Sequence, residues 1–284
     1  MGTTRTDLAV ESLENFKSGK NFSSLEGVAV QESERQGFSI TAVAVTDEAG
    51  AKAIGKPIGR YATVDLRPYF QREQDFFRRG CRCLSIELRN LLPTHLERGV
   101  LVAGLGNRAM TADAIGPLAL ENLLVTRHMV RRQPQQFRHF TPVAAVATGV
   151  LAATGMETLE HLRGAVEILR PAAVIAIDAL AACERTRLCA TVQLGNTGLV
   201  PGSGVGNHRK AINADTLGVP VIAMGVPTVI EVSHLGGQRE EDALFVTPRD
   251  IDAKVRELSR LIGYSITLAL QEGLSVEDIT GLLG

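Results

Sequence analysis

The sequence predicts an α/β fold in which a mostly parallel central sheet is flanked by helices. From residue 99 onward, short apolar runs typical of buried strands alternate with longer segments of helical periodicity. The run AAVIAID at 172–178 is apolar on both faces, as expected for a central parallel strand. The chain also has 28 glycines in 284 residues, which is typical of many tight turns between strands and helices.

The first third of the chain has a different pattern. Residues 1–24 are polar with little periodicity, and we expect a mobile leader there. Short β-branched runs separated by glycines and charges predict two or three antiparallel strands within 27–66. Leucines on one helical face predict a helix from about 70 to 98 that Pro93 breaks or ends. We interpret this part as an N-terminal β-rich embellishment of a single domain.

From residue 99 the predicted elements alternate without an internal repeat or a low-complexity linker. The predicted strands cover 99–105, 141–150, 172–178, 189–194 and 219–229. The predicted helices cover 112–132, 156–171 and 247–273, the last opened by a Thr-Pro pair. A glycine-rich loop at 195–210 separates the last two strands.

Composition excludes several classes of function. The net charge is −1, which argues against a basic surface for nucleic acid or anionic membrane. Aromatic residues make up 4% of the chain and Trp is absent, so stacking platforms for single strands are not expected. No apolar stretch reaches the roughly 18 residues that span a bilayer, and no apolar signal core is present at the N-terminus. We therefore expect a cytoplasmic protein without nucleic-acid or membrane partners.

Neither the cysteines nor the histidines form a metal signature. The four cysteines have spacings that match neither a zinc ribbon nor a C-x-x-C redox motif, and we expect reduced thiols. The six histidines include no H-x-x-x-H or H-E-x-x-H pattern. The sequence predicts no metal and no cofactor.

The stretch LVAGLGNRAMTADAIGP at 101–117 permits two interpretations. Gly104-x-Gly106-x-x-Ala109 after a strand is similar to the dinucleotide fingerprint. That fingerprint needs a helix beginning at the glycines and an acid after the next strand. Here the apolar periodicity begins only around Ala114, and the next predicted strand ends without an acid. The pattern therefore favours a turn that orients Asp113 over a phosphate-binding turn.

Asp113 and Asp178 each follow a predicted parallel strand. The carboxyl ends of parallel strands share one edge of a sheet, where ligands collect, so we expect the two carboxylates to converge on one cleft. Paired carboxylates share a proton, and one then serves as base while the other serves as acid. Capping of a helix or turn is an equally ordinary role for either aspartate, and the spacing leaves that alternative open.

The loop PGSGVGNHRK at 201–210 also has two interpretations. Gly202, Gly204 and Gly206 would let the backbone approach a substrate closely, with His208 among the available donors. The same loop is equally explained as a flexible crossover. If the cleft is catalytic, these four residues and Asn107 are our candidates for orienting the substrate.

Several long stretches carry a resemblance to a known family. They are RTDLAVE at 5–11, IGKPIGRYATVDL at 54–66, GLGNRAMTADAIGP at 104–117, AIDALAA at 176–182, PGSGVGNHRK at 201–210 and TLGVPVIAMGVPTV at 216–229. In this order they resemble the germination proteases, endopeptidases that degrade small acid-soluble spore proteins when bacterial spores germinate. The resemblance covers almost the whole chain.

The resemblance implies an atypical aspartic endopeptidase on a sheet related to hydrogenase-maturation proteases. Its catalytic aspartates would be Asp113 and Asp178. It also implies a zymogen that cuts its own Asp7–Leu8 bond, so that 1–7 is a pro-segment and 8–284 is one peptidase domain. The implied setting is a homotetramer in the forespore or spore core, with small acid-soluble spore proteins as substrates.

The chain departs from the family pattern at three places. Only four residues precede Arg5, Ala112 stands where the family usually has Pro, and the connection 232–244 is short. Two other functions are kept as hypotheses: a nickel-dependent endopeptidase of the hydrogenase-maturation type, and a non-catalytic binding protein on the same fold. The first predicts a metal bridged by carboxylates and a histidine.

Overall fold

The computed structural model describes residues 6–18, 25–206, 209–232 and 244–284. Within these residues nine strands form one sheet: β1 (Val28–Arg35), β2 (Phe38–Val45), β3 (Gly59–Asp65), β4 (Val100–Leu105), β5 (Val143–Gly149), β6 (Ala173–Ala182), β7 (Thr191–Gly195), β8 (Val221–Val232) and β9 (Leu244–Val246). The helices are α1 (Ala9–Ser18), α2 (Glu48–Ile54), α3 (Arg67–Phe70), α4 (Phe76–Arg89), α5 (Ile115–Leu120), α6 (Arg127–Arg132), α7 (Leu151–Thr154), α8 (Thr158–Leu169), α9 (Ala214–Leu217), α10 (Ile251–Leu270) and α11 (Val276–Leu283). Short 3-10 turns cover Thr111–Asp113, Arg185–Arg187 and Ser203–Val205.

The strand order is β1-β2-β3-β7-β8-β6-β4-β5, with β9 beside β8. The strands β8, β6, β4 and β5 run parallel, whereas the other pairs are antiparallel. The predicted α/β class with a helix-flanked sheet is confirmed, and the sheet is mixed. The three N-terminal strands join it where β3 pairs with β7, so the β-rich part extends the central sheet.

Helices cover both faces of the sheet. On one face α4, α5 and α10 pack against the strands, and on the other face lie α1, α2 and α8. Strand β6 is central: Ile175 and Ile177 face the first layer, Val174 and Ala176 face the second, and all four are fully buried. This burial on both faces explains the uninterrupted apolar run in the sequence.

The prediction of an unstructured leader over 1–24 is wrong for the described part of it. Helix α1 begins at Ala9, and Leu8, Ala9 and Leu13 are buried, Ala9 and Leu13 against β2 and β3. A short amphipathic helix has few turns in which to show its period, and its stability comes from the surface it packs on. Residues 1–5 and 19–24 lie outside the described part of the chain.

The predicted continuous helix over 112–132 is also wrong. Helix α5 ends at Leu120 and α6 begins only at Arg127. Between them the chain bonds to neighbouring elements, because the Leu124 N–H donates to Thr267 Oγ1 (3.1 Å) and the Thr126 N–H donates to the Val143 carbonyl (3.1 Å). Tertiary hydrogen bonds have replaced the helical ones at this point.

Other predicted boundaries shift by a few residues. Helix α4 ends at Arg89 rather than at Pro93, and α10 begins at Ile251 rather than at the Thr-Pro pair. The predicted helix at 156–171 is confirmed as α8. Helices α2, α7, α9 and α11 and strand β9 were not predicted. No helix in the described ranges combines the length and apolar character that a bilayer crossing requires.

The close approach of α10 to the end of α5 gives a stability prediction. A Cβ on Gly263 would lie 2.5 Å from the Asn122 carbonyl oxygen, so Gly263→Ala should lower the free energy of unfolding by about 1–3 kcal/mol. Gly164, in α8, has open space around it, and Gly164→Ala should raise the same quantity by about 0.5–1 kcal/mol. Urea unfolding of both variants measures the contrast. Equal stabilisation by both would contradict this packing of α10.

Candidate active site

Asp178 lies toward the carboxyl end of the central strand β6. Its side chain is only 7% exposed, and its Oδ1 accepts a hydrogen bond from the Ala179 N–H (2.9 Å). The residue opposite on β8 is Gly225, and a Cβ there would lie 2.8 Å from the Asp178 carbonyl oxygen. Asp178 is thus a carboxyl group largely removed from water on a rigid strand.

Asp113 is oriented by the turn that follows β4. The Asn107 N–H donates to Asp113 Oδ2 (2.8 Å), so the turn itself binds the carboxylate. Gly106 has φ +101, and a Cβ there would lie 2.1 Å from the Asp113 carbonyl oxygen. Only glycine fits this conformation and this space. The backbone N–H of Asn107 thus binds a carboxylate of the chain, and the turn holds Asp113 in a fixed orientation.

Three hydroxyl groups hold this turn against the body of the protein. Thr228 Oγ1 on β8 donates to the Ala112 carbonyl (2.6 Å), and Thr111 Oγ1 donates to Asp252 Oδ1 on α10 (2.8 Å). Ser259 Oγ, also on α10, donates to the Ile115 carbonyl (3.3 Å). The backbone on both sides of Asp113 is therefore fixed to two elements that are distant in sequence.

The two carboxyl groups have different proton affinities. Burial raises the pKa of Asp113, and the Asn107 N–H partly opposes this by stabilising the charged form. Burial raises the pKa of Asp178 well above its usual range, and the negative charges of Asp113 and Asp7 raise it further. Burial and the two neighbouring charges thus raise the pKa of Asp178 further than burial raises the pKa of Asp113. This is the division between acid and base that paired carboxyl groups need.

Both aspartates line a cleft of about 960 Å³ at the carboxyl ends of β4 and β6. Of the candidate substrate-orienting residues, Gly202 and Gly204 line the same cleft. Gly206 ends the following 3-10 turn at φ +74. The Asn107 side chain accepts from the Ala109 N–H (3.0 Å), and its backbone holds Asp113. His208 lies outside the described residues.

The N-terminal segment enters this cleft beside Asp178. The Asp7 N–H donates to the Ala181 carbonyl (3.0 Å), and the Ala181 N–H donates back to Asp7 Oδ2 (2.9 Å). Ser203 Oγ donates to Asp7 Oδ1 (2.6 Å), and Gly204 makes room for this carboxylate, since a Cβ there would lie 2.1 Å from Asp7 Oδ2. The cleft therefore contains a subsite that binds an acidic side chain of the chain itself.

Glu11 is held by a second set of donors. Its carboxylate is fully buried and accepts from the N–H groups of Cys183 (2.8 Å) and Glu184 (2.9 Å) and from the Thr6 hydroxyl. Arg187 lies 3.5 Å away as an ion-pair partner. Asp7 and Glu11 thus anchor the two ends of the stretch 7–11, which leads into α1 and is buried from Leu8 onward.

Sequence reasoning missed the residues that bind this stretch. Lys56, Gln193 and Ser203 contact Asp7, although none had been singled out. Lys56 stands within the motif IGKPIGRYATVDL, which carried the family resemblance, and that was the available signal. Gln193 lies on an ordinary strand and gave no signal.

Across the described ranges, no group of three or more His, Cys, Asp or Glu side chains is placed to hold a metal ion. The four cysteines are free thiols, and Cys81, Cys83 and Cys189 are buried.

Comparison with known proteins assigns the whole chain to one group. A sequence model of the peptidase family described as germination protease matches residues 4–238. The germination protease of Caldanaerobacter subterraneus is 37% identical over 98% of each chain, and that of Clostridium perfringens is 37% identical over 100% of each. The germination protease of Priestia megaterium is 39% identical over 98% of this chain and 77% of its own length.

Among solved structures, the chain matches the [NiFe] hydrogenase maturation protease HycI from Thermococcus kodakarensis. The match covers 63% of this chain and 98% of that chain, with 15% identity and a TM-score of 0.36.

The raised pKa of Asp178 predicts a pH-dependent gain in stability when its carboxyl group is removed. Above about pH 4 the unfolded chain has lost the Asp178 proton while the folded chain still holds it, so folded-state stability falls as pH rises. Asp178→Asn has no such proton to lose. We expect this variant to gain unfolding free energy over the wild type between pH 5 and 8, and the gain to shrink toward pH 4.

Denaturant unfolding at several pH values tests this expectation. Asp215→Asn, at an exposed position in α9, serves as the matched control and should change the unfolding free energy by about 0.5 kcal/mol or less at every pH. A loss of stability in Asp178→Asn that grows with pH would show that the folded protein stabilises the charged form instead.

Proposed function

The chain belongs to the germination protease family and is a peptidase, and we propose that it hydrolyses small acid-soluble spore proteins during germination with Asp113 and Asp178 as its acid–base pair. The observation that carries this proposal is the convergence of the two carboxyl groups in one cleft. Asp178 is buried and Asp113 is partly buried, and the charge of Asp113 raises the pKa of Asp178. Such coupling is typical of a pair that exchanges protons during a reaction.

The proposed hydrolysis assigns one role to each carboxyl group. Ionised Asp113 accepts a proton from a water molecule, whose oxygen attacks the carbonyl carbon of the peptide. Protonated Asp178 then donates its proton to the departing nitrogen as the carbon–nitrogen bond breaks. The products are a carboxylic acid and an amine. The proton passes from Asp113 back to Asp178 before the next cycle.

We also propose that the chain is a zymogen whose activating cut is its own Asp7–Leu8 bond. This proposal is supported by the position of Thr6 and Asp7 in the cleft and by the full burial of Leu8 and Glu11. An acidic residue precedes the bond, an apolar one follows it, and a glutamate lies four residues after Asp7. While this segment stays in place, another protein cannot occupy the same subsites.

The family resemblance supplies the remaining parts of the proposal. The substrates would be present in the forespore or spore core, and the enzyme would act there. A homotetramer is the proposed assembly, with no metal or other cofactor required.

Removal of either carboxyl group should abolish most of the activity. We expect Asp113→Asn and Asp178→Asn each to slow cleavage of a purified small acid-soluble spore protein by about 100-fold or more, since acid–base groups supply roughly 10²–10⁴-fold. The double variant should be no slower than the worse single variant, because the two groups act as one unit. Asp215→Asn is the surface control and should keep wild-type rates.

Near-wild-type cleavage by either active-site variant would reduce that aspartate to a capping role. Loss of wild-type activity in EDTA would instead support a metal-dependent peptidase. If the wild type cleaves nothing but binds the spore protein, and both variants bind equally well, a non-catalytic binding role would be supported.

Processing of the N-terminus has a direct readout by intact mass. The wild-type chain should convert to a form that begins at Leu8, and activity on a spore protein should rise in step with that conversion. Asp113→Asn should keep residues 1–7. Full activity in a preparation that still carries these residues would contradict the zymogen proposal.

A further inference from the structure

The carbonyl oxygen of Asp7 is bound by two side chains from different parts of the chain. Lys56 Nζ donates to it at 2.9 Å, and Gln193 Nε2 donates at 3.0 Å. This oxygen belongs to the bond that we propose is cut. Both donors are side-chain groups, so neither takes part in the backbone hydrogen bonds of the surrounding helices and strands. Both can therefore bind the carbonyl oxygen of a peptide.

Gln193 is in register with the catalytic candidate Asp178 across the sheet. Gln193 on β7 lies opposite Gly225 on β8, and Gly225 in turn lies opposite Asp178 on β6. Residues directly opposite in neighbouring strands present their side chains on the same face. The row Gln193–Gly225–Asp178 therefore places an amide donor and a carboxyl group on one face, two strand spacings apart, or roughly 10 Å between backbones.

The Gln193 amide contacts the chain on both sides of the Asp7–Leu8 bond. Its Nε2 donates to the Asp7 carbonyl, and its Oε1 accepts from the Ala9 N–H at 2.6 Å. A single planar group thus fixes the residue before the bond and the second residue after it. This orientation presents the carbonyl of Asp7 to the donors.

Lys56 brings a positive charge to the same oxygen. It follows the end of α2 at Gly55, and its Nζ also donates to the Thr6 carbonyl at 3.2 Å. Burial lowers the pKa of Lys56, whereas the nearby carboxylates of Asp7 and Glu11 favour its charged form. A partly buried cation held by fixed contacts stabilises developing negative charge more strongly than a cation in water does.

We propose that Lys56 and Gln193 form an oxyanion clamp for the carbonyl oxygen of the peptide bond that is cut. The inference rests on the proposed cut between Asp7 and Leu8. When the oxygen of water bonds to the carbonyl carbon, the π electrons move onto the carbonyl oxygen, where the ammonium and amide N–H groups bind the charge. Those electrons return to the carbon as the bond to the Leu8 nitrogen breaks. That nitrogen leaves with the proton from Asp178.

The clamp is tested by the rate of self-cleavage in the full chain. The chain is diluted from urea to start folding, and intact mass then follows the loss of residues 1–7. Lys56→Met and Gln193→Glu should each slow this step by about 100-fold or more, the usual effect of losing one oxyanion donor. Gln193→Glu keeps the acceptor for the Ala9 N–H and replaces the donor with a carboxylate oxygen, which repels negative charge on the Asp7 carbonyl. Lys56→Arg keeps the charge and should recover at least tenfold over Lys56→Met.

Two controls separate a clamp from an anchor of the N-terminal segment. Lys52→Met removes an exposed lysine of α2 and should leave the rate unchanged. Ser203→Ala removes a hydrogen bond to the Asp7 carboxylate but none to its carbonyl, and should slow cleavage by less than about tenfold. Thermal melting of each variant confirms that it has folded.

The outcomes distinguish the clamp from the function on which it rests. If the wild type loses residues 1–7 and Lys56→Met does so at the same rate, the clamp is overturned and the proposed cut stands. If Ser203→Ala is as slow as Lys56→Met, both residues only anchor the segment, and the clamp is again overturned. If the folded wild type never cuts at Asp7–Leu8, the proposed self-cleavage fails and takes the inference with it.

Discussion

The burial of Asp178 beside a second carboxyl group is the constraint on which the rest of the site depends. Removing a carboxylate from water is costly, and a neighbouring negative charge adds to that cost, so the group holds its proton instead. A flexible segment would avoid the cost of the buried carboxylate by turning the Asp178 side chain toward water. Here β6 is the central strand, its apolar residues are fully buried on both faces, and Asp178 cannot move away from the cleft.

The second carboxyl group needs a different kind of support, because Asp113 lies in a turn rather than on a strand. Its backbone is held by Thr228 from β8 and by Thr111 through Asp252 of α10, while Gly106 allows the turn to close around it. Each carboxyl group accepts one backbone N–H, so the pKa of Asp178 is raised further than that of Asp113 because Asp178 is more deeply buried and lies near the charges of Asp113 and Asp7. The difference arises from the fold and not from the residues themselves.

The N-terminal segment shows how the cleft accommodates acidic peptide. Asp7 and Glu11 are carboxylates brought into a site that already contains two carboxyl groups, which would be unfavourable without compensation. Backbone N–H groups at Ala181, Cys183 and Glu184 supply it, together with the hydroxyl of Ser203 and the charges of Lys56 and Arg187. The donors to Asp7 belong to the body of the domain, so they would stay in place after the proposed removal of residues 1–7, whereas Glu11 would stay in the chain with its own donors.

The sequence by itself determined the α/β class and the buried central strand, and it predicted a turn that orients Asp113 and an Asp113 and Asp178 that share one cleft. These follow from local patterns: apolar period, glycine spacing and the position of an acid after a strand. Tertiary structure decided that α1 is a helix packed on β2 and β3, that the segment 112–132 breaks into two helices, and that Lys56 and Gln193 meet at the Asp7 carbonyl. Lys56 lies 49 positions and Gln193 lies 186 positions from Asp7 in the sequence. A local hydrophobic pattern does not indicate a contact across such a separation.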